Sequence, residues 1–165
     1  MDAAVSPPPP AISLGGGVEM ILLLAGELTD GRLSVVEHPM APGSLIEPHT
    51  HEREDEYSFI VSGTLGMMLG PTEFEATAGM LVTKPRGIKH AAWNATTEPA
   101  RFLEIISPAG FERFFHEVSD LFSGPTEPPG DELERLALHY GLTFHLDEVT
   151  ELIDRHGLSA AVRYP

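Results

Sequence analysis

From residue 18 to about 107, apolar residues alternate with polar ones or gather in short runs. The segments 19–24, 32–39, 44–51, 55–62, 64–69, 72–76, 80–84, 89–95 and 100–106 are rich in Val, Ile, Leu, Phe and Thr. Gly, Pro, Asp or Asn separates them, so each reads as a strand closed by a turn. Regular spacing without a helical period in between predicts an all-β antiparallel sandwich or barrel.

Beyond residue 107 the period changes from 2 to 3.6. Phe111, Phe114, Phe115, Val118, Leu121 and Phe122 form one apolar stripe, which predicts a helix with Ser107 as N-cap and Pro108 at the first helical position. Gly124-Pro125 ends it. Asp131 with Glu134 resembles a capping box and opens a second helix near 132–140; Asp147 caps a third near 148–156, which Gly157 closes. The prolines at 7–10 and the glycines at 15–17 read as an extended, flexible arm. The chain thus divides into a disordered arm (1–17), a β-domain (18–107) and a C-terminal helical extension (108–165). The Pro/Gly linker at 125–130 leaves a lid role for helices 132–156 as a secondary reading.

Composition narrows the chemistry. None of the 165 residues is cysteine, so no disulfide exists and a metal site has only nitrogen and oxygen donors. A formal charge of −15 argues against nucleic acid and anionic membranes as partners and leaves a small molecule. The N-terminus lacks the basic and apolar regions of a signal peptide, and the longest aliphatic run, Met20 to Ala25, is too short to span a bilayer. A cytoplasmic location is expected.

Two stretches carry candidate chemistry. In the first, His49 and His51 lie two apart, so on a strand they point to one face, where two imidazoles can reach one metal ion. Glu56 follows a short polar turn, and a hairpin-like return brings its carboxylate back towards them. In the second, Pro85-x-Gly87 marks a tight turn and His90 opens the next strand as the natural fourth ligand. Three imidazoles and one carboxylate suit a single divalent transition metal ion: Fe, Mn, Ni, Co, Cu or Zn.

Together these stretches resemble the two signature motifs of the cupin family. Gly43, His49, His51, Glu56 and Gly63 match the first, G-x5-H-x-H-x(3,4)-E-x6-G. Gly79, Pro85, Gly87, His90 and Asn94 match the second, G-x5-P-x-G-x2-H-x3-N. The resemblance covers roughly residues 18–107. It implies a jelly-roll β-barrel, metal ligation by His49, His51, Glu56 and His90, and pairing of barrels into a homodimer. In size and motif the chain is similar to quercetinase-like cupins. That likeness implies an O₂-dependent dioxygenase acting on a small aromatic or enolic compound, with Glu56 both ligand and catalytic base. The same ligand set also serves a redox-neutral isomerase, lyase or polyketide cyclase, or a non-catalytic small-molecule-binding module.

By alternation, Ser58 and Ile60 share the face of Glu56, and Ala92 and Asn94 that of His90. Glu47 and Glu104 are placed equally well inside a barrel or in solvent. His38, His116, His139, His145 and His156 have no ligand spacing and are expected at surface or capping positions. Met67, Met68, Phe74, Trp93 and Phe102 are expected in the core or along a pocket.

Overall fold

A computed structural model describes residues 7–123 and 130–161. The strands are β1 (Ile12–Gly15), β2 (Val18–Leu24), β3 (Ser34–Met40), β4 (Leu45–His51), β5 (Asp55–Ser62), β6 (Thr64–Leu69), β7 (Thr72–Thr77), β8 (Leu81–Lys84), β9 (His90–Trp93), β10 (Ala100–Ser107) and β11 (Leu142–Phe144). They form two antiparallel sheets, ordered β1-β2-β3-β10-β5-β8 and β11-β4-β9-β6-β7. The all-β barrel read from the alternating pattern is therefore present, and its neighbours in space are mostly not neighbours in sequence.

Alternation orients the side chains. Along β10, Ala100, Phe102, Glu104 and Ile106 are buried, while Arg101, Leu103, Ile105 and Ser107 face outward. Along β5, Glu56, Ser58 and Ile60 turn in, while Phe59 and Val61 are exposed. Carboxylates inside and a phenylalanine outside invert the usual partition. That inversion makes the inner face of the six-stranded sheet partly polar.

The helices are α1 (Glu112–Phe122), α2 (Gly130–His139) and α3 (Val149–His156). Phe111, Phe114 and Val118 bury against Met20, Val36 and Ile106 of the six-stranded sheet, joined by Ala137 and Leu142. Val149, Leu152 and Ile153 bury against Leu45, Met68 and Trp93 on the other sheet. Gly66 makes room there: a Cβ on it would lie 2.0 Å from the Trp93 indole nitrogen.

Several expectations need correction. Residues 12–15, assigned to a disordered arm, form β1 against β2. The helix expected from Ser107 begins at Glu112; Ser107 ends β10, and Glu112 itself accepts from Gly110 N–H at 2.6 Å and Gly26 N–H at 3.0 Å. Asp131 lies inside the first turn of α2 beside Arg135, and Asp147 sits in a 3-10 turn, so neither caps as expected. Gly157 does close α3, at φ 67°. The extension also contributes β11, which pairs with β4. β11 lies in a sheet and α3 in a core, so residues 142–156 are docked on the barrel. The linker residues 124–129 lie outside the described residues.

Candidate metal centre

Three strands converge on one point. β4 carries His49 and His51 on its inner face, β5 carries Glu56, and β9 opens with His90 directly across from His49. The turn before β9 is pinned in place: Gly87, at φ 77°, donates its N–H to the His51 carbonyl at 2.8 Å. All four side chains are buried, and their donor atoms lie within 4.8 Å of one another. Two donors sharing an ion at about 2.1 Å each lie at most about 4.2 Å apart. Closing the difference takes movements of a few tenths of an ångström per side chain.

Each imidazole is oriented by its outer nitrogen. His49 Nδ1 donates to the Glu47 carbonyl at 2.6 Å, and His90 Nδ1 to the Ile88 carbonyl at 3.0 Å. A carbonyl only accepts, so both rings carry their proton on Nδ1 and present the Nε2 lone pair to the centre. His51 Nδ1 faces the buried Glu54 carboxylate at 3.3 Å. Outer hydrogen bonds of this kind fix the tautomer and raise the basicity of metal-ligating histidines.

The inner nitrogens of two of these rings meet a carboxylate. His90 Nε2 lies 3.1 Å from Glu56 Oε2, and His51 Nε2 lies 3.2 Å from Glu56 Oε1 yet makes no hydrogen bond while fully buried. Two acceptors at such distances repel unless a proton or a metal cation sits between them. Burial, reinforced by its two histidine neighbours, holds His49 well below the usual imidazole range. Burial and Lys84 also lower His90. For His51 burial acts downward too, but the carboxylates of Glu56 and Glu54 prevail and lift it to about 9. Burial opposes ionisation of Glu56, yet Lys84 and His51 hold it far below the usual carboxylate range. An ionised carboxylate facing three nitrogens fits a divalent cation.

The centre forms the polar end of a cavity. Its other wall is apolar and comes mainly from the extension: Phe111, Phe114, Phe115, Val118, Leu142 and Phe144. Phe111 packs edge-on against the His51 ring at a centroid distance of 4.3 Å. Ser58, Ala92 and Asn94 are buried on the expected faces, but Asn94 is structural: its amide bonds Met40, Glu98 and Thr96.

Two residues missed by sequence reasoning line this cavity. His38 was expected at the surface; it is buried between Phe102 and Phe115, at 5.1 Å from each ring, and burial lowers it to about 4. Its period-2 match with Val36 and Met40 is the signal that places it inside. Lys84 is buried and bridges Glu56 and Glu104. Glu104 therefore lies inside the barrel, and Glu47 lines the cavity half-buried. The remaining histidines play structural or surface parts. His145 bonds Thr50 at 2.9 Å, His156 stacks on Trp93 at 4.4 Å, and His116 and His139 are exposed.

Comparison with known proteins agrees with this architecture. Residues 36–106 match the family model of the cupin domain. No curated protein matches the chain. Among solved structures, KdgF from Halomonas sp. is similar with a TM-score of 0.57 at 20% identity, over 64% of this chain and 93% of that one. A predicted oxalate decarboxylase from Thermotoga maritima gives 0.56 at 26%, over 61% and 91%. An RmlC-like cupin from Shewanella frigidimarina gives 0.55 at 21%, over 63% and 87%. Among the described residues no helix is long and apolar enough to cross a membrane. The barrel that gathers His49, His51, Glu56 and His90 has the jelly-roll fold of cupins, and its residues 36–106 match the cupin-domain model.

Proposed function

We propose that the chain is a metal-dependent enzyme that acts on a small aromatic or enolic compound, with O₂-dependent cleavage as its reaction. The observation that carries this reading is the contrast between the two ends of the cavity. Four convergent donors occupy one end, and phenylalanine, valine and leucine side chains wall the other. His49, His51, Glu56 and His90 would hold one divalent ion. Such an ion lowers the pKa of an enol or phenol oxygen and, when redox-active, supports O₂ chemistry. The aromatic wall binds the flat body of the substrate and excludes water. By the likeness to quercetinase-like cupins, Glu56 would accept the hydroxyl proton.

The cavity chemistry separates this reading from those suggested by the fold relatives. Oxalate is a small dianion, and an apolar wall offers it few partners. Among the described lining residues the one ammonium group, Lys84, already serves two carboxylates. The protein loaded in turn with Fe(II), Mn(II), Ni(II), Co(II), Cu(II) or Zn(II) is expected to consume O₂ with flavonols or enolic diketones. Both atoms of labelled O₂ are expected in the product. Equal turnover under anaerobic conditions would rule the reaction out.

One feature favours a redox-neutral isomerase, lyase or cyclase instead. Burial raises Glu104 to about 7, beside Lys84, so an acid–base pair stands in the barrel without any need for O₂. Zn(II) has no redox chemistry. Activity with Zn(II) equal to that with Fe(II) or Mn(II) would select this second reading.

Glu56→Gln is expected to weaken metal binding less than loss of a histidine does. The amide keeps one neutral oxygen donor but loses the charge and the 2.9 Å ion pair with Lys84. Competition titration with a chromophoric chelator measures the ranking; affinity below that of a His→Ala variant would contradict it.

A further inference from the structure

Behind Glu56 lies a charged group that the four-donor centre does not explain. Lys84 donates to Glu56 Oε2 at 2.9 Å and to Glu104 Oε2 at 2.5 Å. Ser58 donates to the two Glu104 oxygens at 3.2 and 3.0 Å. Strand register builds the chain: Glu56 pairs with Lys84 across β5 and β8, and Ser58 with Glu104 across β5 and β10. All four residues are buried. No other carboxylate is within reach of Lys84 among the ion pairs of the described residues.

A buried ammonium group touching a metal ligand sets a problem. Once Glu56 shares its charge with a divalent cation, Lys84 and that cation are like charges in a medium of low dielectric. With Glu104 ionised, the three side chains carry −1 without the cation and +1 with it. With a neutral residue at 104 they carry 0 and +2. We propose that Glu104 is the counter-ion that lets Lys84 and a divalent cation share Glu56, which makes it a positioning residue for a centre it does not touch. This rests on the metal reading above. Lys84 keeps the Glu56 carboxylate ionised and aimed, Glu104 takes up Lys84 when the cation arrives, and Ser58 holds Glu104.

The test is a double-mutant comparison on the full chain with Zn(II) as probe, by chelator competition at pH 8. Glu104→Gln keeps the size and the Ser58 contact but leaves Lys84 without its second carboxylate. Its Zn(II) affinity is expected to fall at least about tenfold, the effect of about 1.4 kcal/mol. The double variant Lys84→Met with Glu104→Gln removes both charges and is expected to recover to within about threefold of the parent. Glu104→Asp, which keeps the charge, is expected to stay near the parent and controls for folding. Unchanged affinity in Glu104→Gln, or a double variant as weak as Glu104→Gln, overturns the proposal. Failure of the parent protein to bind Zn(II) overturns the metal reading instead, so the two failures are distinct.

Discussion

Alanine at His49 or His90 is expected to abolish stoichiometric metal binding while leaving the barrel folded. Each ring presents Nε2 to the centre because Nδ1 is committed to a backbone carbonyl, Glu47 for one and Ile88 for the other. Loss of a mere outer-sphere partner costs about 10–100-fold in metal affinity, so loss of a ligand should exceed about 100-fold. The fold should survive, because the pairing of His49 with His90 across β4 and β9 is a backbone contact. Elemental analysis after gel filtration is the primary measurement. Thermal unfolding with and without added metal is the second, since a ligand that binds only the folded state raises its stability. The parent should gain stability with metal and the variants should not. One equivalent of metal retained in either variant would show the centre to be misassigned.

The metal centre was legible because its spacing is dictated by strand geometry. His49-x-His51 is the period of a strand face, and Pro85-x-Gly87 marks the turn that delivers His90. The remaining motif positions were read from the resemblance to the cupin signatures. Lys84 was not legible in the same way. In sequence it is a polar residue before a turn, and only the register of β8 on β5 brings it against Glu56. β11 escaped because Leu142, Thr143 and Phe144 are too few to show alternation between two helical stripes. The first helix was placed too early because Ser107-Pro108 carries the local signal of a helix start. The pairing of Ser107 with Asp55 in the sheet overrides it. Lys84, β11 and the start of α1 are set by contacts between distant segments, whereas His38 does follow the period-2 pattern of β3.

The C-terminal extension bears on function through Phe111, and replacing it by alanine is expected to separate metal binding from substrate binding. The ring is 3% exposed and touches four others: His51 at 4.3 Å, Phe114 at 4.9 Å, Phe115 at 5.3 Å and Tyr140 at 6.1 Å. Truncating a phenylalanine so buried costs about 3–5 kcal/mol, part transfer and part cavity. Urea denaturation should show this as a lower midpoint at an unchanged slope. Phe122→Ala, at a position 37% exposed on the same helix, should cost far less. The four candidate metal donors sit on barrel strands and not on α1, so metal stoichiometry should persist in Phe111→Ala. The apolar wall, by contrast, loses the ring that lies against His51, so apolar ligands should bind more weakly and water should reach the centre. A variant that loses its metal along with its stability would mean that α1 holds the ligands in place. One that keeps both metal and ligand affinity would mean that this wall does not contact the substrate.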